Sequence, residues 1–400
     1  MKRGAERPWT AAVSDSTITL SHGYDPVVAC DWEGRPLHVV RSGRTYRRGL
    51  GGSLLEKGYS AGKRWARVET DPVRARNIVE EAFELVETAT ARALAGDSQA
   101  LLSGRGTPRE LRERLEAWRD RRSIRTPNDL ERDRRRFAQV CQVPPILPPD
   151  QYRALVIQVT TGCPWNACRF CTLYTDRPYQ VLSPERLLQH ATDIAEYMGA
   201  GLSYRQSVFL GDASLSRLSP DAVARRVRLL SDLLEERTPR RSWTFHAFAD
   251  AFTPAAWPAR SLEPMLAAGL RRVHVGVESG SQAVLDACGK PQSPDKVARF
   301  ARSLKEAGLG LSAIFIVGLG GKRLAEEHVN GSVGLIERMG LGPGDLVYLS
   351  PLVGAVPQTG EGFADLDLAD EEAAFRTRLE PLRATREFRV ARYDLREFVY

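Results

Sequence analysis

The sequence predicts an α/β protein: a partial (βα)6 TIM-like barrel, with an α+β extension before it and a short C-terminal helix and strand addition after it. Three observations carry this. Six short apolar runs alternate with helical stretches between residues 154 and 353; the proline-rich VPPILPPD (143–150) stops helix ahead of them; and the residues before it lack that alternation. At 400 residues the chain is long for one compact domain. The expected division is 1–150 for the extension, 151–355 for the barrel and 356–400 for the addition.

In the extension, residues 17–57 read as short strands joined by turns, with GRPLHVV and GRTYRRG suggesting hairpins. From Asp71, DPVRARNIVEEAFELVETATARALAG reads as an amphipathic helix. Pro72 suits its first position, Ile78, Ala82, Leu85, Ala89 and Ala93 share one face, and Gly96 closes it. Two charged helices are expected near 107–122 and 127–140.

The barrel strands are ALVIQVT, SVFLGDA, SWTFHAF, RRVHVGVES, LSAIFIVGLGG and LVYLSPLV, each pair separated by a helical stretch. Successive strand-helix units imply a parallel sheet with right-handed crossovers. Six units are too few for a closed eight-fold barrel, which takes about 250 residues. Residues 370–385 read as a helix and REFRVARYDLREFVY as a final strand-like segment.

Composition narrows the function classes. No run of about 18 apolar residues occurs, and MKRGAERPWTAAVSDS has no apolar core of a secretory signal. The expectation is therefore a cytoplasmic protein with no membrane partner. Residues 1–150 hold 27 Lys and Arg against 21 Asp and Glu, which is +6 of the net +7. These charges are interleaved, as in RELRERLEAWRDRR, and no aromatic-interleaved patch accompanies them, so nucleic acid is not the expected partner.

Six cysteines in this chain make no disulfide framework. Three are scattered (Cys30, Cys141, Cys288) and read as buried apolar residues, and Cys288 is also a possible hydrogen-atom or methyl carrier. The other three, Cys163, Cys168 and Cys171, lie together in TTGCPWNACRFCTLY, in the loop leaving the first barrel strand. Ligands bind at that end of parallel α/β sheets. Closely spaced thiolates suit an iron-sulfur cluster or zinc. Structural zinc wants four protein ligands, and His190 lies inside a helical stretch. Three thiolates suit a 4Fe-4S cubane with one iron left open.

The Cys163-x4-Cys168-x2-Cys171 loop, with Phe170 immediately before the third cysteine, resembles the radical S-adenosylmethionine (radical SAM) superfamily. That family's usual spacing is CxxxCxxC, so the first gap here is one residue longer. The resemblance covers roughly residues 150–355. It implies a 4Fe-4S cluster on the three cysteines and S-adenosylmethionine as cofactor. Gly211 and Asp212 in SVFLGDAS would meet the methionyl amino group, in the place of the family's GGE-like motif. Glu278 and Ser279 in GVESGS would bond the ribose or amino-acid part, where Glu278 alternatively serves as a charge at a helix N-terminus. Gly318 in IFIVGLGGK would let the backbone approach the adenine.

The activity so implied is reductive cleavage of S-adenosylmethionine to methionine and a 5'-deoxyadenosyl radical, which abstracts hydrogen from an unknown substrate. An external electron donor such as flavodoxin or ferredoxin is implied with it. No second Cys cluster and no DxHxxG occur, which argues against sulfur insertion from a sacrificial cluster and against the familiar cobalamin motif. FHAFAD is expected to place His246 or Asp250 near the cavity mouth. The basic RSGRTYRRGLGG (41–52) reads equally as a clamp for an anionic substrate or as an exposed hairpin. The competing class is a non-enzymatic iron-sulfur redox sensor that binds nucleic acid through the basic first 150 residues.

Overall fold

The computed structural model describes residues 8–60, 63–238, 242–253, 257–353 and 367–400. Residues 356–366 of the expected C-terminal addition therefore lie outside the described residues. The chain divides into two compact units: 1–143, 192–206 and 396–400 form the first, and 144–191 and 207–395 the second.

Among the described residues, the first unit is built on an eight-stranded sheet. Strands β1 (Trp9–Val13), β2 (Ile18–His22), β3 (Val27–Cys30), β4 (Pro36–Arg41), β5 (Arg44–Arg48), β6 (Leu54–Ser60) and β7 (Lys63–Val68) form an antiparallel meander. Helix α1 (Pro72–Ala95) then leads to β8 (Ala100–Gly104), which pairs parallel to β1. The Asp71 carboxylate accepts from the N–H groups of Val73 and Arg74, and Gly96 ends α1 in the left-handed region at φ 70°. Ile78, Ala82, Leu85, Ala89 and Ala93 are all buried, as their spacing predicts, and pack with Leu20, Val28 and Trp118. Helices α2 (Pro108–Arg121) and α3 (Pro127–Val140) each start with a capping box, Thr107 with Glu110 and Thr126 with Asp129.

Much of this unit's positive charge is internally paired. Arg35, 2% exposed, forks onto Asp133 through Nε and Nη2 at 2.9 Å each. Glu56 is buried among Arg44, Arg67 and Arg74. Burial alone would raise the Glu56 carboxyl, but those arginines and Tyr46 hold it at about 2.

The second unit carries a seven-stranded sheet among the described residues. Its strands are β9 (Ala154–Gln158), β12 (Ser207–Gly211), β13 (Phe245–Ala249), β14 (Leu270–Glu278), β15 (Gly310–Val317), β16 (Leu346–Pro351) and β17 (Arg389–Arg392), in that spatial order and all parallel. The short strands β10 (Thr160–Thr161) and β11 (Gln180–Val181) pair separately. Helices α4 (Pro184–Met198), α5 (Pro220–Arg237), α6 (Glu263–Ala268), α7 (Gln282–Ala287), α8 (Pro294–Glu306), α9 (Gly321–Arg338) and α10 (Leu368–Arg386) supply the crossovers. Near-continuous burial along β9, β12 and β16 is the mark of strands covered on both faces. The six predicted strands are all present, and the strand-like C-terminal segment adds β17 beside β16.

Candidate functional site

Three free thiols, Cys163, Cys168 and Cys171, sit half-buried on the loop that follows β9. The loop's neck is closed by the β10–β11 pair. Gly162 lies at φ 67° in that neck, where a Cβ would sit 2.7 Å from the Pro178 carbonyl oxygen, so only glycine fits. The neck is further tied to the end of β12. The Asp212 carboxylate accepts from the Gly162 N–H and from Gln158 Nε2, both at 3.1 Å, and Arg177 Nη1 lies 3.5 Å away. The Asp212 N–H donates in turn to the Thr160 carbonyl at 2.7 Å.

The middle of the loop is pinned to the turn after α7. The Arg169 N–H donates to the Cys288 carbonyl at 2.9 Å, Arg169 Nη1 to that of Ala287 at 3.2 Å, and Trp165 Nε1 to that of Gly289 at 2.9 Å. Phe170 packs on Val284, Cys288 and Leu319, with the Cys288 side chain fully buried. The three thiols are thus presented by a loop held at its neck and its middle.

Burial pushes the Cys168 thiol up to about 12, against the pull of Lys290, and raises that of Cys171 as well. Unliganded, these sulfurs are protonated at neutral pH; a metal centre would hold them as thiolates and release the protons.

The other residues expected at the site fall at the same ends of the strands, with partners of their own. Gly211 ends β12 and Asp212 follows it, its two carboxylate oxygens already engaged by the loop. Burial raises the Asp212 carboxyl, and Gln158, the Gly162 N–H and Arg177 partly offset this. Glu278 ends β14 in the left-handed region at φ 64° and accepts from Lys290 Nζ at 2.7 Å. A non-glycine residue there is strained by about 1 kcal/mol or more, a cost that recurs at functional positions. The Ser279 hydroxyl lies 2.7 Å from His328 Nδ1 and accepts from the Ser281 N–H at 3.0 Å. Gly318 follows β15 at φ 93°, with Leu368 Cδ2 where a Cβ would point, 2.3 Å away.

Of the two residues in FHAFAD expected near the cavity mouth, His246 or Asp250, the strand places Asp250 at that end and not His246. Asp250 follows β13 at its C-terminal end and accepts from Ser214 Oγ at 2.6 Å and the Thr253 N–H at 2.7 Å. His246 is only the second residue of β13, because the strand begins at Phe245, and so it stands at the opposite end. Sequence reasoning also missed Lys290. Its signal was present: a single lysine two residues past Cys288 in DACGK, with only a proline and a glutamine separating it from a serine-capped helix.

Residues 157–329 match the family model described as the Radical SAM superfamily. A 4'-phospho-dehydrooxetanocin synthase from Priestia megaterium is 25% identical over 173 residues, covering 41% of this chain, and the chain spans 23% of that relative's length. Among solved structures, coproporphyrinogen III oxidase from Escherichia coli, described as a radical SAM enzyme, is 15% identical with a TM-score of 0.43, covering 62% of this chain and 55% of that one. The cobalamin-dependent S-adenosylmethionine radical enzyme OxsB is 19% identical with a TM-score of 0.35, covering 57% and 30% respectively.

Proposed function

We propose that this chain, whose residues 157–329 belong to the radical SAM superfamily, is an enzyme that holds a 4Fe-4S cluster on Cys163, Cys168 and Cys171 and S-adenosylmethionine on the strand ends beside it. The observation that carries the reading is the loop itself: three free, half-buried thiols, fixed to β12 by Asp212 and to the α7 turn by Arg169. The donor set fits the group. Thiolates favour iron-sulfur centres, and three of them leave one iron for a non-protein ligand. When bound, the reduced cluster supplies an electron that cleaves S-adenosylmethionine to methionine and a 5'-deoxyadenosyl radical, the species that takes hydrogen from the substrate.

The protein's part is binding, orientation and exclusion of water. Phe170 and Leu319 give the cluster loop an apolar backing. Lys290 places a buried positive charge near Cys168 and fixes the carboxylate of Glu278. Gly211 and Asp212 would meet the methionyl amino group, Glu278 and Ser279 the ribose or amino-acid part, and Gly318 the adenine. The electron comes from an external donor of the flavodoxin or ferredoxin type, in a reducing compartment such as the cytoplasm.

Of the basic stretch 41–52, Arg41 pairs with Glu81 and Arg44 with Glu56, which favours a structural hairpin over an anion clamp. The pairing of arginines throughout the first unit likewise disfavours the nucleic-acid sensor.

Anaerobic reconstitution with iron and sulfide, reduction with dithionite and addition of S-adenosylmethionine test the proposal. Formation of 5'-deoxyadenosine by the wild type and its loss in Cys168→Ala are expected. A full cluster that neither binds S-adenosylmethionine nor yields 5'-deoxyadenosine would replace the enzyme with the sensor.

A further inference from the structure

A second group of ligand-type side chains lies in the same unit, away from the cysteine loop. Asp150 precedes β9, His246 is the second residue of β13 and His274 sits in the middle of β14. One donor atom from each falls within 4.8 Å of the other two. His274 is completely buried, beside the rings of Phe209 and Phe248, yet neither of its ring nitrogens has a hydrogen-bond partner. His246 Nδ1 is also out of reach of solvent and without a partner. A buried imidazole nitrogen without a partner is destabilising, so a group that engages these nitrogens removes a real penalty.

The surroundings suit a cation. Burial pushes His274 down to about 3 and His246 to about 4, so both imidazoles are neutral and present lone pairs at physiological pH. Asp150 contributes the negative charge. Its Oδ2 lies 4.0 Å from His274 Nε2 and accepts from Gln151 Nε2 at 2.9 Å, while its Oδ1 accepts from Tyr348 Oη at 2.7 Å. These donors hold the carboxylate in place, as outer partners do around metal ligands. The opposing charge is Arg272, whose Nε is 3.8 Å from Asp150 Oδ2. Its terminal nitrogens are committed to Ser312 Oγ and the Gly344 carbonyl. The Asp150 side chain is 26% exposed, which gives an ion a way in from solvent.

We propose that Asp150, His246 and His274 form a binding site for a divalent first-row transition-metal ion, separate from the cysteine loop. Two neutral imidazoles and one carboxylate are a donor set for zinc or ferrous iron, and three protein ligands leave positions for water. The site does not depend on the radical chemistry proposed above, since none of its three residues belongs to the cysteine loop or to the strand ends beside it.

The test uses the full chain with Cys163→Ser, Cys168→Ser and Cys171→Ser, so that loop thiols take no metal. Titration with zinc, and with cobalt(II) as a spectroscopic probe, should show one tight equivalent, with a cobalt spectrum lacking sulfur-to-metal charge transfer. Adding His274→Ala should weaken zinc binding by a hundredfold or more. Asp150→Asn, a near-isosteric change at a partly exposed side chain, should weaken it at least tenfold. No zinc bound by the triple-serine chain, or equal binding with and without Asp150→Asn, overturns the site and leaves a buried water as the partner of His274.

Discussion

Lys290 Nζ lies 2.7 Å from Glu278 Oε1, and the two side chains are only 9% and 12% exposed. The pair joins the end of β14 to the turn that pins the cysteine loop. Burial by itself would lower the lysine's pKa, but Glu278 and Cys168 overrule it and raise it. Removing one partner of such a pair strands a buried charge. Lys290→Met should therefore destabilise the fold by about 3 kcal/mol, and Lys290→Met combined with Glu278→Gln should recover most of that. Urea unfolding of the two single variants and the double variant measures this. A double variant as unstable as Lys290→Met would show that the ion pair is not the cause.

Asp212 connects the sheet to the neck of the loop by accepting on both oxygens. An asparagine would set an amide N–H against either the Gly162 N–H or Gln158 Nε2. Asp212→Asn should cost about 1–3 kcal/mol of stability and loosen the thiols from their common position. Reconstituted protein should then lose iron several-fold faster to a chelator than the wild type. Unchanged iron retention would limit Asp212 to a role outside the loop.

Gly318 carries two demands at once, a left-handed φ of 93° and the approach of Leu368. Gly318→Ala should lower stability by about 2 kcal/mol or more, from the backbone and the clash together. Leu368→Ala in the same chain should relieve the steric part only. Full rescue by Leu368→Ala would mean that the backbone term is absent.

Glu371 gives stability a pH dependence. Burial raises its carboxyl from 4.5 to about 7. A folded-state value above the unfolded one favours the protonated form, so the contribution is complete below about pH 4.5 and is lost as pH rises through 7. Nearby His328 is pushed down to about 4 by its own burial, so it supplies no counter-charge at neutral pH. The melting temperature of Glu371→Gln should match the wild type near pH 5 and exceed it increasingly toward pH 8. A constant difference between the two across that range would remove Glu371 as the source.

What was legible in the chain was written over short distances. Asp71, Pro72 and Gly96 mark the ends of α1 because capping groups act within one turn. The cysteine spacing and Phe170 identify the loop for the same reason: its ligands are neighbours in sequence. Strands β1, β7 and β8 were not legible. The parallel pairing of β8 with β1 joins residues 100–104 to 9–13, and no local pattern records such a partner. Lys290 went unnoticed because a lysine after a helix reads as solvent-facing until a buried carboxylate is found opposite it.

The sequence by itself determined the parallel sheet of six strand-helix units, the thiol loop at the end of the first strand, and the glycine and acidic residues at the ends of the others. Alternation, caps and ligand spacing are local, and they survive without coordinates. Only the tertiary structure decided that Asp212 and Arg169 hold the loop from two sides, that β17 extends the sheet, and that His246 lies away from the cysteine loop, near Asp150 and His274. Asp150, His246 and His274 lie on separate elements, the turn before β9, β13 and β14, and only the folding of the sheet brings their donor atoms within 4.8 Å of one another. Such a grouping depends on how distant elements pack together, which no composition or periodicity specifies.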